Sequence, residues 1–165
     1  MREIDFETVM KIHIPRWNEL PEIDLYLDQV VNYIEKYLGQ YNANKEDKII
    51  TKTMINNYVK QGIMPAPTKK KYNRQHIAYL IVICVLKQVY SISEIKELIA
   101  LALEINSAEN GYNRFCDYLT EALISTFNGS EYSKTSTFTP EQYLMKNVVQ
   151  SFANKLYAQI VYLNK

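Results

Sequence analysis

The strongest constraint in this sequence is a run of ten apolar residues, IAYLIVICVL, from Ile77 to Leu86. A helix built from this run has no polar face, so it needs apolar neighbours on every side. A helix that crosses a bilayer needs about twenty apolar residues, so the run is too short to span a membrane. We therefore expect it to be the central buried helix of a globular core, and we expect no membrane partner.

The other apolar residues recur with the spacing of helices, and the alternation typical of strands is absent. Thr51 and Asn73 are placed to cap helices at their start, and Gly62 is placed to end one. A further helix starts at Ser91 or Ser93. The helices predicted in this part of the chain cover about 24–38, 52–61, 74–90 and 91–105.

The last third of the chain also predicts helices. One carries an apolar stripe made of Tyr112, Phe115, Cys116, Leu119, Leu123 and Phe127. After the polar linker NGSEYSKTSTFT, Thr139, Pro140 and Gln142 supply a cap, a first-turn proline and a capping-box partner for the final helix. Its apolar stripe would close the core or meet a second subunit, and consists of Met145, Val149, Phe152, Leu156, Ile160 and Leu163. We predict an all-α protein with one domain over 1–105 and a C-terminal helical pair over 106–165.

Charge is unevenly distributed along the chain. Between Lys45 and His76 there are eight basic and two acidic residues, a local net of +6, so the remainder carries −5 within the total of +1. A local basic patch on an otherwise acidic protein is typical of a surface that binds a phosphate backbone. Lysine runs also occur simply as solvated loops. Charge alone leaves both interpretations open.

The second predicted helix divides into two faces when its side chains are placed about 100° apart. Met54, Ile55, Tyr58 and Val59 form the apolar face that would dock on the core. The polar face consists of Lys52, Thr53, Asn56, Asn57 and Lys60. Amides, ammonium groups and a threonine methyl are groups that read base edges in the DNA major groove. Any exposed helix also needs a polar face, so a solvated helix is the simpler alternative.

The segment PAPTKKKY that follows this helix supports the DNA interpretation. Its prolines favour an extended path. That path would hold Lys69, Lys70 and Lys71 near the end of the helix, where ammonium groups, with Arg74, can grip flanking phosphates.

The order of TKTMINNYVKQGIMPAP, a basic link, YNRQHI and SISEIKELI resembles the DNA-binding domain of MerR-type regulators. In this resemblance Thr51 matches the capping serine of the recognition helix and Tyr58 the second of its paired tyrosines. Gly62 to Pro65 match the turn after that helix, and Tyr72 and Asn73 match a Tyr-Ser pair that starts the next one. The resemblance implies a MerR-like winged helix-turn-helix fold that binds double-stranded DNA as a homodimer.

Three segments, IPRWNELPEIDLYLDQV, TKTMINNYVKQG and KKKYNRQHIAYLIVICVLKQ, resemble a family of low-GC Gram-positive bacteria, the domain of unknown function 1836. This resemblance covers most of the chain to about residue 105. The chain departs from the MerR pattern at Asn56 and Asn57, where MerR-type helices have arginine and tyrosine. Thr68 and the lysines replace the Gly-Tyr-Arg of the MerR wing, and 39–50 separates the first two helices by more than a tight turn.

Catalytic and metal sites are not expected. Cys84 and Cys116 lie in helical patterns without Cys-x-x-Cys spacing, which predicts neither a disulfide nor a zinc site and fits a reducing cytoplasm. His13 and His76 have no cysteine or carboxylate at ligand spacing, and His76 is expected on the surface or at an interface. No phosphate-binding glycine loop or nucleophile motif is present, so an enzyme and a cofactor are not predicted.

Together these patterns predict a DNA-binding transcriptional regulator, expected to be a cytoplasmic homodimer with an unknown small-molecule effector. A protein-interaction adaptor that uses the same basic face to bind an acidic protein is the alternative. The residues predicted to contact DNA are Lys52, Thr53, Asn56, Asn57, Lys60, Lys69, Lys70, Lys71, Tyr72 and Arg74.

Overall fold

The computed structural model describes residues 11–42, 46–130 and 138–163. Lys45, counted above in the basic segment, and most of the linker before the final helix lie outside the described residues. The described residues are mostly helical, as predicted. Their α-helices are α1 (Leu27–Leu38), α2 (Lys52–Lys60), α3 (Arg74–Leu86), α4 (Ile92–Ile105), α5 (Ala108–Asn128) and α6 (Pro140–Ala158).

Helix α3 is the centre of the core, as its apolar run predicts. Leu80, Ile81 and Ile83 are fully buried, and α1, α5 and α6 all pack against this helix. The prediction that it continues to about Tyr90 is wrong, because the α-helix ends at Leu86. The chain leaves it through a turn in which the Tyr90 N–H donates to the Leu86 carbonyl. After this turn, Ser91 adopts the extended backbone conformation that an N-cap residue requires.

The predominantly helical chain also contains one short pair of strands, which the sequence did not predict. Strand β1 (Leu25–Tyr26) pairs antiparallel with β2 (Lys71–Tyr72), so that Leu25 lies opposite Tyr72 and Tyr26 opposite Lys71. Helix α1 accordingly begins at Leu27, not at Asp24. Strands of two residues are too short to show alternation in a sequence.

The caps predicted for α2, α3, α4 and α6 are confirmed by their hydrogen bonds. Thr51 Oγ1 accepts from the Met54 N–H at 3.2 Å, and Asn73 Oδ1 accepts from the His76 N–H at 3.1 Å. Ser91, rather than Ser93, caps α4, since its Oγ accepts from the Glu94 N–H at 3.2 Å. Thr139 caps α6 and forms the predicted capping box with Gln142.

The C-terminal helices complete the same core. The predicted stripe of α5 is buried along its whole length, and α5 packs along α6. On α6, Val149, Phe152 and Leu156 are buried, and the Phe152 ring lies edge-on to Tyr41, which follows α1. The stripe thus closes the core, the first of the two uses predicted for it. Leu163, at its far end, is 64% exposed.

The start of the described chain is fastened to α5. The Tyr112 hydroxyl donates to the Pro15 carbonyl at 2.6 Å, and the Trp17 N–H donates to Asn113 Oδ1 at 2.9 Å. Arg16 Nη2 lies 3.0 Å from Asp117 Oδ1. These contacts link segments that are about a hundred residues apart in sequence.

Candidate nucleic-acid interface

Helix α2 presents its polar face to solvent. Its apolar side docks through Ile55 and Tyr58, which are buried, and through Met54 and Val59, which are half-buried. The five residues of the predicted polar face, Lys52, Thr53, Asn56, Asn57 and Lys60, are all exposed. The two faces lie as the helical wheel predicts, and nothing among the described residues covers the polar one.

The sequence defines both ends of α2. At the start the cap is Thr51, described above. At the end Gly62 adopts a left-handed φ of 67°, with its N–H donating to the Val59 carbonyl and the Ile63 N–H donating to the Tyr58 carbonyl. This pair of bonds is the Schellman motif, and the buried side chains of Ile63 and Tyr58 supply its apolar contact. The chain beyond α2 is therefore anchored, and α2 is held in a fixed orientation.

A tight turn places lysines beside α2. Thr68 and Lys71 exchange both backbone hydrogen bonds, at 3.0 and 3.1 Å, and the two residues between them have left-handed φ values of 51° at Lys69 and 61° at Lys70. This is the geometry of a two-residue hairpin turn with positive φ at both central positions, which normally favours Asn-Gly. We call Thr68–Lys71 the basic turn. Both central lysines are exposed.

An open groove lies between the start of α2 and the basic turn. Lys52 and Asn56 line one side, Lys70 lines the other, and Tyr26 and Asp28 lie between them. Lys52 forms an ion pair with Asp28, and Lys71 Nζ lies 5.1 Å from the centre of the Tyr26 ring. The pairing of β1 with β2 brings the Tyr26 strand to this position.

Two residues of the predicted contact set differ from expectation. Tyr72 is only 3% exposed and lies at the bottom of the groove, so its side chain supports the surface and does not project from it. Its burial raises the pKa of its hydroxyl. Arg74 is half-buried, and its Nη2 donates to the Leu20 carbonyl at 3.2 Å. Only part of its guanidinium therefore faces outward.

The prediction that His76 lies on the surface or at an interface is wrong, because the side chain is 4% exposed. Its Nδ1 accepts from the Asn73 N–H at 3.0 Å, and its Nε2 lies 3.1 Å from the Ala66 carbonyl oxygen. The ring thus ties the start of α3 to the segment that leads into the basic turn, and packs edge-on against Tyr72. The His76 side chain is buried because both ring nitrogens contact backbone groups of neighbouring segments.

Sequence reasoning missed three residues at this surface. Tyr26 and Asp28 come from a stretch about forty residues away, and only the pairing of two very short strands brings them there. Lys96 of α4 places its Nζ 3.5 Å from the Gln61 carbonyl, where a cation also suits the negative end of the α2 dipole. The sequence carries no local signal that would have found any of the three.

The geometry defines a mostly helical protein with a cationic groove and an exposed polar helix face. The model of one family, described as domain of unknown function (DUF1836), matches residues 15–117, and the chain belongs to this family. No curated protein and no solved structure matches the chain.

Among the described residues, no group of three or more histidine, cysteine, aspartate or glutamate side chains is arranged to hold a metal ion. In the same part of the chain, no helix is long and apolar enough to cross a membrane.

Proposed function

We propose that this protein binds double-stranded DNA and regulates transcription in the bacterial cytoplasm, with α2 as its recognition helix. The observation that carries the proposal is the uncovered polar face of α2 beside the basic turn. An α-helix with its side chains is about 10–12 Å in diameter, which fits the major groove, about 12 Å wide. The nine residues of α2 make a helix about 14 Å long at 1.5 Å per residue, enough to lie against about four base pairs at about 3.4 Å each.

The residues divide into two roles. Asn56 and Asn57 can each donate to and accept from one adenine, and Thr53 can touch a thymine methyl. Lys69, Lys70 and the other cations at the edge of this face would contact phosphates, which sets the register of the helix but does not select sequence. The ion pair with Asp28 holds the Lys52 side chain beside the groove.

The resemblance to MerR-type regulators supports a homodimer. In that resemblance α2 is the recognition helix, the basic turn replaces the wing, and α3 and α4 follow in the same order. A two-fold dimer would present two copies of α2 to half-sites about 34 Å apart, one turn of DNA. The C-terminal helices α5 and α6 are where dimerisation or effector sensing would be located.

The test is binding to fragments selected from the source genome, measured by fluorescence anisotropy over a range of salt concentrations. With about six to nine phosphate contacts, the logarithm of the binding constant should fall with the logarithm of salt concentration with a slope of roughly −5 to −8. Asn56→Ala should cost about 1–3 kcal/mol on the selected site and less on a random duplex. Lys70→Gln should weaken both equally and reduce the slope by about one.

Matched controls lie elsewhere on the surface. Asn110→Ala on α5 removes an exposed amide, and Lys36→Gln on α1 removes an exposed charge, both without touching the groove. Neither should change DNA binding. A salt-independent affinity, or an Asn56→Ala effect equal on selected and random DNA, contradicts α2 as a sequence reader.

One observation favours the alternative, an adaptor that binds an acidic protein. Tyr26, which lies opposite Lys71 of the basic turn, is 55% exposed, and Ile23, three residues earlier in the chain, is 73% exposed, so this segment presents an apolar patch. Protein interfaces combine an apolar centre with a charged rim. Ile23→Ser should leave DNA binding unchanged, whereas it should weaken an interaction with a protein that covers this patch. A gel shift with competing nonspecific DNA at physiological salt separates the two functions.

A further inference from the structure

A cavity of about 150 Å³ lies between α3, α4, α5 and α6, and it shares no lining residue with the groove beside α2. Four helices contribute to its walls. They include Val82 of α3, Leu98 and Ala102 of α4, Phe115 of α5 and Met145 of α6. Protein interiors are packed closely and contain few voids larger than a water molecule. This cavity is open to solvent on one side and mostly apolar inside, so it is a candidate site for a small apolar group.

Helix α4 shows the same incomplete packing. Its apolar residues cover more than half of the helix circumference, yet Ile95 is its one fully buried side chain. Leu98 and Ile99 are half-buried against the cavity, while Leu101 and Ile105 are 38% and 49% exposed at its edge. The second half of α4 is thus less closely packed against the core than its first half.

The volume indicates a small molecule as the occupant. An engineered cavity of about 150 Å³ lined by leucine, isoleucine and phenylalanine stays dry and binds one benzene-sized ligand. A helix of a partner, with a diameter of about 10–12 Å including its side chains, needs a far larger space. The site therefore suits one ring or a short alkyl chain.

The charged side chains at the edge of the cavity indicate which polar group the ligand carries. Arg114 of α5 lines the cavity and is exposed, and it makes no hydrogen bond or ion pair within the described ranges. The acidic residue one turn along, Asp117, is engaged by Arg16. Glu141 also lines the cavity, but it lies in the first turn of α6, where the helix dipole offsets its charge. A guanidinium in the middle of a helix has no such compensation, and it binds carboxylates through two parallel hydrogen bonds.

We propose that this cavity binds a small amphiphilic monocarboxylate. Its apolar body would lie between α3, α4, α5 and α6, and its carboxylate would lie against Arg114. The proposal goes beyond DNA binding and does not depend on it, because occupancy of the cavity is measured without DNA.

The experiment is a titration of the unmodified protein with benzoate and hexanoate, monitored by two-dimensional NMR and calorimetry. Benzyl alcohol and benzylamine serve as neutral and cationic counterparts of the same ring. We expect benzoate and hexanoate to shift the resonances of Val82, Leu98 and Met145 in a saturable way. Benzyl alcohol should bind more weakly, and benzylamine more weakly still.

Two pairs of variants test the site. Ala102→Phe fills the cavity and should abolish benzoate binding, whereas Ala100→Phe, on the exposed side of the same helix, should leave it unchanged. Arg114→Gln should lower the affinity for benzoate roughly tenfold or more, because a charged hydrogen bond is lost, and should leave that for benzyl alcohol unchanged. Lys48→Gln, which removes an exposed charge elsewhere, should change neither affinity.

Three outcomes overturn the proposal. The first is that no ligand shifts the resonances of the cavity in the unmodified protein. The second is that benzoate and benzyl alcohol bind equally well and Arg114→Gln affects neither, which removes the anionic part of the inference. The third is that sedimentation shows a dimer that Leu101→Ser dissociates, with the cavity inaccessible to benzoate, so that a second copy of the chain covers this face.

Discussion

The two lysines at the centre of the basic turn have backbone conformations that few side chains adopt. A left-handed residue other than glycine costs roughly 1–2 kcal/mol, and here two occur in succession, at Lys69 and Lys70. Asparagine followed by glycine would form the same turn with less strain. Strained backbone often lies at functional sites, and here it places two ammonium groups at the tip of the turn.

This strain predicts that a substitution which relieves it stabilises the protein but weakens DNA binding. The double substitution Lys69→Asn and Lys70→Gly should raise the free energy of unfolding by about 1 kcal/mol or more, because both residues suit positive φ. It should also weaken DNA binding, because about two phosphate contacts are lost. The slope of the logarithm of the binding constant against the logarithm of salt concentration should become less steep by about two. Urea denaturation measures the first effect and anisotropy the second.

Lys60→Asn is the matched control for this pair. It removes one exposed charge from α2 without altering the turn, so it should weaken DNA binding without stabilising the protein. A double variant that is no more stable than the unmodified protein would show that the turn is not strained.

Helix α2 depends on its ends more than on its composition. It is short, and helices of this length are marginal in isolation. The Thr51 cap, the Gly62 motif and one buried face hold it in place. The position of its polar face therefore follows from local sequence. The position of the basic turn beside it depends on the pairing of β1 and β2.

The cap supplies a prediction at the scale of this element. Thr51→Ala removes the acceptor for the Met54 N–H and should lower the free energy of unfolding by about 1 kcal/mol. Thr53→Ala, two residues later on the exposed face, should have almost no effect on stability. Urea denaturation of both variants checks this. Equal effects of the two changes would mean that the cap is not what fixes the start of α2.

At the scale of the whole molecule, the described residues share one connected core. Buried side chains from α1, α3, α5 and α6 belong to a single cluster. The division into domains over 1–105 and 106–165 stays a prediction, and the bonds from Pro15, Arg16 and Trp17 to α5 provide a way to test it. Trp17 is the one tryptophan of the sequence, and its ring lies 6.2 Å from that of Tyr112.

We predict a single cooperative unfolding transition. Trp17 fluorescence reports on the contact with α5, far-UV circular dichroism reports on all helices, and the buried thiols of Cys84 in α3 and Cys116 in α5 report on the core. Burial raises the pKa of these thiols to about 12 and about 11, so a thiol reagent at mild pH should react with them only on unfolding. All three signals should change at the same urea concentration. A fluorescence transition separated from the other two would indicate two units that unfold independently.

The sequence by itself determined the helices, the caps that start them, the central position of α3 and the outward face of α2. These features depend on neighbours within a few residues, where apolar spacing and capping hydrogen bonds act. Only the tertiary structure decided that Tyr26 and Asp28 adjoin the basic turn, that His76 and Tyr72 are buried, and that a cavity separates α4 from α3. Those features arise from contacts between segments far apart in sequence, and no local pattern records which segments will meet.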